Sequence, residues 1–175
     1  MRILALDVSS TATGWAVMEP GPKVLSFGVF KGPAGTAPDR SQWSAVAMRS
    51  ILCDSDCGSV VMEWLDEHRH VHPHRARSII TCARAQGVVY GLLKQHAAIA
   101  LVGESDWTRG RSKEARADDR SAEFPMYGIY RDEGYDKGLD CADALGIGLW
   151  HLGKLREADL FAASEAEKGR RNTRV

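Results

Sequence analysis

The 175-residue sequence has no net charge, few aromatic residues and no long apolar run. Its 23 Lys and Arg residues balance 23 Asp and Glu residues, so the overall charge does not indicate a nucleic-acid-binding protein. No run approaches the roughly 20 apolar residues that cross a bilayer. The apolar stretch from Ile3 to Leu6 ends at Asp7 and is too short for the core of a signal peptide. We therefore expect a cytoplasmic protein.

Cysteine is also scarce, and its spacing argues against a structural zinc site. The four cysteines show no paired Cys-x-x-Cys pattern. We expect buried, reduced thiols at Cys53, Cys57, Cys82 and Cys141.

Charge is distributed unevenly along the chain. Residues 68–120 contain 10 Lys and Arg residues, 5 Asp and Glu residues and five of the six histidines, between two acidic flanks. A polyanion could bind this basic middle third while acidic residues act elsewhere. Chance alone could produce the same asymmetry, so it favours nucleic acid only slightly.

The hydrophobic pattern predicts alternating strands and helices. The predicted strands are 2–8, 14–18, 23–30, 59–64 and 97–102. The predicted helices are a first helix capped by Asp39 or Ser41 and ending near Leu52, with Trp43, Val46, Ala47 and Ile51 on its apolar face, then 75–95, part of 105–122, and 139–158, with 124–138 irregular.

The order β-β-β-α-β-α-β-α predicts an α/β fold. Three antiparallel strands followed by helical crossovers give a mixed five-stranded sheet with helices on both faces. We expect a single domain over residues 1–160 and a flexible charged tail over 161–175.

Two acidic residues end otherwise apolar strands. Asp7 ends the first strand and Glu63 ends the fourth. An unpaired buried charge costs several kcal/mol, so buried strands seldom contain one without a function. Strand ends are where sites are built in open α/β sheets. Either residue alone would be read as a solvated strand end, whereas the pair suggests a shared cleft.

A second acidic pair opens the last predicted helix. Asp140 and Asp143 are spaced i, i+3, which places both carboxylates on one helical face in the first turn. Helix capping explains this pair as well as catalysis does. The small residues that follow would let the helix approach the sheet closely and bring the pair near Asp7; they are Ala142, Ala144, Gly146 and Gly148.

Four converging carboxylates repel one another unless cations neutralise them. Oxygen ligands suit Mg²⁺ or Mn²⁺. Two such ions about 3.5–4 Å apart support in-line phosphodiester hydrolysis, one activating water and the other stabilising the leaving oxygen. The sequence therefore predicts a metal-dependent nuclease.

These motifs resemble the RuvC-like Holliday junction resolvases of the RNase H-like superfamily from residue 3 to about residue 155. The segments that carry the resemblance are Ile3–Ser9 with Gly14-Trp15-Ala16, Val61-Met62-Glu63, Ala83–Val88 and, most specifically, Asp140–Ile147. Between Glu63 and the next helix, and over 123–138, the sequence departs from the family pattern, as a divergent phage-type member would.

The resemblance implies a homodimer that nicks four-way junctions with two metal-dependent active sites. It places Asp7 as the residue bridging two Mg²⁺ or Mn²⁺ ions, with Glu63, Asp140 and Asp143 completing the metal shell. Gly110-Arg111-Ser112-Lys113 is similar to a Gly-Arg-x-x-Lys stretch of the family, which makes Lys113 a candidate for transition-state stabilisation. A phosphate contact or a solvated side chain is the alternative for Lys113.

Basic residues provide candidate DNA contacts. They are Arg69, Arg75, Arg77, Arg109, Arg111 and Lys113. The alternating histidines His68, His70, His72 and His74 could bind Zn²⁺, but a basic loop that contacts phosphate is favoured about three to one. Trp64 could act as a junction wedge or as core, and Trp107 could stack on a base or pack internally.

Two other functions remain open at this point. One is an RNase H-like ribonuclease that cuts RNA–DNA hybrids or precursor RNA with the same chemistry. The other is a junction-binding protein without catalytic turnover, which the presence of all four acids argues against. A sugar-kinase or actin-like ATPase would need a second domain and a second phosphate motif, and the chain shows neither.

Overall fold

The structure is a computed structural model, which describes residues 1–21, 23–65 and 76–153. In chain order the elements are β1 (Arg2–Val8), β2 (Thr13–Glu19), β3 (Lys23–Phe30), α1 (Ala37–Asp54), β4 (Cys57–Trp64), α2 (Ala76–Leu93), β5 (Ala98–Gly103), α3 (Glu104–Thr108), α4 (Lys113–Glu123), α5 (Pro125–Asp132) and α6 (140–153). The predicted tail at 161–175 lies outside the described residues, so the domain limits remain predictions. No helix in the described ranges is long and apolar enough to span a membrane.

The five strands form one mixed sheet in the order β3-β2-β1-β4-β5. Strands β1, β2 and β3 are antiparallel neighbours, whereas β4 runs parallel to β1 and β5 runs parallel to β4. Leu6 of β1 pairs with Met62 of β4, so the residues that follow them, Asp7 and Glu63, lie at the same edge of the sheet. The predicted mixed five-stranded sheet is confirmed.

Helices cover both faces of this sheet, as the sequence predicts. Successive side chains of β1 point to opposite faces. Leu4 and Leu6 belong to a buried cluster with α1 and α2, while Ile3 and Ala5 belong to a second buried cluster with α6. Each fully buried aliphatic side chain contributes roughly 1.5–3 kcal/mol, so β1 stabilises both layers.

Small residues allow α6 to lie directly against the sheet. A Cβ atom added at Gly148 would lie 3.1 Å from the Cβ of Ala5 and even closer to the sulfur of Met18. A Cβ atom added at Gly14 of β2 would collide with the carbonyl group of Asp140. These two glycines fix where α6 begins relative to β1 and β2.

A buried carboxylate anchors the start of α6. Asp136 is 1% exposed and accepts hydrogen bonds from the backbone N–H groups of Cys141 (3.2 Å) and Ala142 (3.2 Å) and from the Tyr127 hydroxyl (2.9 Å). A carboxylate at a helix N-terminus satisfies amide groups that have no partner within the helix. Asp136 therefore holds the turn that carries Asp140 and Asp143.

The structure corrects the prediction for α1. Its N-cap is Thr36, which forms a capping box with Asp39, rather than Asp39 or Ser41. Trp43 and Val46 are more than half exposed, and the buried residues are Ser41, Ser44, Ala45, Met48 and Leu52. The buried face combines these small residues with two large apolar ones and packs against α2, so it is rotated from the face that Trp43 and Val46 suggested.

One predicted segment is confirmed as partly helical, and a second differs from its prediction. The region 105–122 contains two helices, α3 and α4, separated at Arg109 and Gly110, which both have positive φ. The region 124–138 contains α5, which begins at Pro125. It is helical because Tyr127 and Tyr130 pack edge-on against Phe27 of β3, with ring centroids 6.1 and 5.5 Å away.

The cysteines are all free, but not all are buried. Cys141 is buried, Cys57 and Cys82 are partly buried, and Cys53 is exposed on α1. The prediction of buried thiols is therefore wrong for Cys53.

Candidate active site

Five acidic residues line one cleft of about 370 Å³, namely Glu104 of α3 and the four that the sequence singled out. Asp7 comes from β1, Glu63 from β4, and Asp140 and Asp143 from the first turn of α6. The parallel pairing of β1 and β4 supplies the first two, and the close approach of α6 supplies the others. The structure thus brings together all four carboxylates that the sequence singled out.

Lys113 lies among three of these carboxylates. Its Nζ atom is 2.9 Å from Oδ1 of Asp140, 3.2 Å from Oδ2 of Asp143 and 3.7 Å from Oδ2 of Asp7. Ser112 caps α4 by accepting a hydrogen bond from the N–H of Ala115, which places Lys113 at the first position of that helix. Lys113 is therefore an ordered part of the cleft rather than a solvated side chain.

Arg116 is a functional candidate that the sequence reasoning missed. Its guanidinium donates from Nε to Oδ1 of Asp143 at 3.0 Å and from a terminal nitrogen to Oδ2 at 3.1 Å. It also lies over the Trp107 ring, 4.7 Å from the centroid. The signal was its spacing, since Lys113 and Arg116 are i, i+3 on one helix and share a face.

Burial and crowding change the pKa values of these acids. Burial, reinforced by Glu63, raises the pKa of Asp7 well above its usual range. Burial, reinforced by Glu104 and Asp143, raises the pKa of Glu63 to about 7. Burial also raises the pKa of Asp143, although Arg116 opposes it. Ionising these carboxylates in the cleft therefore costs free energy, and a bound cation would reduce that cost.

The same carboxylates stabilise the charged form of Lys113. Burial alone lowers the pKa of its ammonium group, but Asp7, Asp143 and Asp140 together raise it above the ordinary value. Lys113 therefore stays protonated and supplies part of the positive charge that this acidic cleft requires.

The donor set fits a hard divalent cation in chemical type. All four acids offer oxygen ligands, which Mg²⁺ and Mn²⁺ prefer. Within the described residues, however, no three His, Cys, Asp or Glu side chains converge closely enough to form a preformed metal site. Lys113 contacts three of the four acids, so side chains of the cleft must shift before several carboxylates share one ion.

The predicted DNA contacts separate into different places. Arg111 lines the acidic cleft and pairs with Asp119. Arg109 lines a neighbouring cleft, and Arg77 lies in a groove between α1 and α2. Arg69, Arg75 and the histidines at 68–74 lie outside the described residues.

The two tryptophans singled out by the sequence are packed. Trp107 is 8% exposed beneath Arg116. Trp64 is partly buried and meets Tyr90 edge-on, with the ring centroids 5.7 Å apart. Internal packing is therefore what the structure shows for both rings.

Comparison with known proteins gives a consistent set of relatives. No protein-family model matches the chain. It is 27% identical over 181 residues to the crossover junction endodeoxyribonuclease RuvC of Saccharopolyspora erythraea, covering 95% of this chain and 87% of that protein. Among solved structures, Thermus thermophilus RuvC in complex with a Holliday junction substrate superposes with a TM-score of 0.68 at 19% identity, covering 90% and 96% of the two chains.

A eukaryotic structure shows the same architecture. The yeast mitochondrial Holliday junction resolvase Ydc2 has a TM-score of 0.59 at 12% identity, over 93% of this chain and 85% of that one. The agreement extends over nearly the whole length of each protein. The chain therefore has the RNase H-like fold of these Holliday junction resolvases and is similar in sequence to RuvC over nearly its whole length.

Proposed function

We propose that this protein is a metal-dependent, structure-selective endonuclease that cleaves Holliday junctions or other branched DNA. The observation that carries the proposal is the convergence of four carboxylates and Lys113 in one cleft. The RuvC of S. erythraea and the junction-bound T. thermophilus RuvC support DNA junctions as the substrate. The cytoplasmic location expected from the sequence remains a prediction.

Asp7, Glu63, Asp140 and Asp143 would bind the metal, with two Mg²⁺ or Mn²⁺ ions per site as the proposed complement. Such ions would supply activation of the attacking water and stabilisation of charge on the leaving 3′ oxygen. The convergence of oxygen donors from three separate elements on one cleft supports this assignment.

The chain's own cations have separate proposed roles. Lys113, the basic side chain within reach of three of the acids, would stabilise the negative charge that develops on the scissile phosphate. Arg116 would hold Asp143 in one orientation, since it engages both carboxylate oxygens. Arg111, which lines the same cleft, would contact a neighbouring phosphate.

A substrate panel tests the function. End-labelled four-way junction, linear duplex and RNA–DNA hybrid would each be incubated with Mg²⁺, with Mn²⁺ and with EDTA. We expect paired nicks in the junction with either metal and none with EDTA. Cleavage of the hybrid alone would instead establish a ribonuclease, and junction binding without nicks in any metal would establish a binding protein.

We also propose that the protein acts as a homodimer through the outer face of α2. Ile80 is 51% exposed there, Val88 is 38% exposed, and Gly91 has an open surface. A largely apolar groove of about 850 Å³ runs between this face and the start of α1. Exposed apolar side chains beside a groove are a feature of surfaces at which proteins associate.

The dimer can be tested by light scattering during size-exclusion chromatography. We expect the wild type to elute as a dimer and Ile80→Asp to elute as a folded monomer, because a buried unpaired charge opposes association. Leu25→Asp is the matched control, because Leu25 is also apolar and is 38% exposed but lies on β3, away from α2. A monomeric wild type, or an unaffected Ile80→Asp dimer, would contradict this interface.

A further inference from the structure

A second cleft adjoins the acidic cleft and is lined by arginine and tryptophan. It has a volume of about 350 Å³ between α3, α4 and α6. The side chains that matter here are Trp107, Arg109, Arg111, Arg116, Arg120 and Trp150. Because Arg111 and Arg116 line both clefts, a strand bound at the carboxylates can continue directly into this arginine–tryptophan cleft.

The arginines in this cleft are not equivalent. Arg111 pairs with Asp119, and Arg120 pairs with Glu123 at 2.8 Å. Arg116 is committed to Asp143. Within residues 1–21, 23–65 and 76–153, no ion pair or hydrogen bond neutralises the guanidinium of exposed Arg109. Arg109 therefore supplies the positive charge that is available to an anion.

The backbone also presents Arg109 in an unusual conformation. It ends α3 with φ of 51° and ψ of 33°, in the left-handed region, and Gly110 follows with φ of 72°. Non-glycine residues seldom occupy this region, and they are found there mainly at turns and functional sites. The sharp turn leaves Arg109 at the mouth of the arginine–tryptophan cleft.

Two tryptophans also line this cleft. Trp150 is partly buried on α6 and lines the cleft, and Trp107 forms its floor next to Gly146. A Cβ atom at Gly146 would lie 2.9 Å from the Trp107 ring, so glycine is what lets that ring occupy the floor. Aromatic rings combined with arginines are the chemistry by which proteins bind unpaired nucleotides.

We propose that the arginine–tryptophan cleft binds one unpaired nucleotide of the substrate strand next to the scissile phosphate. The base lies against Trp150 and the phosphate binds Arg109. Small-ligand sites begin at roughly 300 Å³, so this volume accepts one nucleotide unit and excludes a duplex. The proposal deepens the nuclease function and rests on it, because it assigns unpaired DNA as a recognised part of the substrate.

Binding of labelled oligothymidylate, followed by fluorescence anisotropy in EDTA, tests the cleft. Trp150→Ala is expected to weaken binding roughly five- to a hundredfold, and Trp150→Phe to restore most of it. Arg109→Ala is expected to reduce the slope of log affinity against log salt concentration by roughly 0.7. Arg49→Ala, an exposed arginine on α1, is the matched control and should behave as wild type.

The outcomes separate this proposal from the nuclease function. If Arg109→Ala and Trp150→Ala bind oligothymidylate as Arg49→Ala does, the cleft proposal is wrong even when the wild type nicks junctions. If the variants lose oligothymidylate binding but wild type nicks no substrate, the nuclease proposal is wrong and the nucleotide site stands. Circular dichroism verifies folding, and if Trp150→Ala unfolds, exposed Arg109 decides the result alone.

Discussion

Asp7→Asn is expected to abolish junction nicking while the protein still folds and still binds the junction. Asp7 lies at the centre of the cleft, where the other acids and Lys113 all influence its ionisation. Removing its charge removes a proposed metal ligand and leaves the surface that binds DNA unchanged. We expect the nicking rate to fall roughly a thousandfold or more, which corresponds to about 4 kcal/mol of transition-state stabilisation.

The rate would be measured in single turnover with saturating protein, and junction affinity would be measured separately in EDTA. Asp132→Asn, at an exposed acid on α5 outside the cleft, is the matched control and should nick at the wild-type rate. Unchanged nicking by Asp7→Asn would place the chemistry elsewhere. Loss of junction affinity to the same extent as nicking would make Asp7 a structural or binding residue.

The metal-free protein is expected to lose stability as the pH rises from 4.5 to about 7. The pKa of Glu63 rises from its ordinary value of 4.5 to about 7 on folding, because burial, Glu104 and Asp143 disfavour the ionised form. Between these values the folded state binds the additional proton. The contribution of Glu63 to stability is therefore greatest below pH 4.5. It is lost as the pH rises from 4.5 to about 7, where Glu63 ionises in the folded protein.

We expect this ionisation to cost roughly 1–3 kcal/mol, or several degrees in Tm for a chain of this length. Glu63→Gln cannot ionise and should flatten the profile, making the variant more stable than wild type at pH 8 in EDTA. A saturating divalent cation should restore about 2–3 kcal/mol to the wild type at pH 8 at a hundredfold excess over Kd. Glu123→Gln, at an exposed acid on α4, should reproduce the wild-type profile.

Thermal unfolding from pH 4.5 to pH 8, with EDTA and with Mg²⁺, measures both effects. An unchanged profile for Glu63→Gln would mean that Glu63 stays ionised without cost and that the cleft is more solvated than its geometry indicates. Metal stabilisation of Glu63→Gln equal to that of wild type would remove Glu63 from the proposed metal shell.

The fold could be predicted where the pattern of apolar and charged residues in the sequence reflects which residues are buried. The apolar runs that end at Asp7 and Glu63 identified two strands of the sheet. A strand buried on both faces is almost entirely apolar, so an acid at its end marks a site at the edge of the sheet. The i, i+3 pair Asp140 and Asp143 then completed the cleft. Each of these four acids lies at the end of an apolar strand or in the first turn of an apolar helix.

The errors arose where tertiary packing overrode the local pattern. Trp43 and Val46 looked like the inner face of α1, but small serines and alanine pack there instead. The helix α5 looked irregular because its stability comes from contacts with β3, about 100 residues away in sequence. The Phe27 ring packs against Tyr127 and Tyr130, and the Val29 N–H donates a hydrogen bond to the Tyr130 hydroxyl. Sequence spacing contains no direct record of such distant partners.

Arg116 was missed for a related reason. An arginine in a charged helical segment is ordinarily a solvated residue, and only the arrival of Asp143 from α6 gives it a partner. Its importance depends on two helices meeting, and the sequence predicted each helix only separately.

The close seating of α6 has a consequence for how this scaffold can change over time. Gly14 and Gly148 allow the helix to pack closely against the sheet because they have no side chain. Asp136, outside the cleft, accepts hydrogen bonds from the backbone of its first turn. These contacts involve backbone atoms of Asp140, Cys141 and Ala142 but not the side chain of any acid that would bind metal. The backbone that presents those acids is therefore independent of their charge. Side chains in the cleft can therefore be exchanged, by natural mutation or by design, to change metal preference or abolish turnover while the fold is preserved.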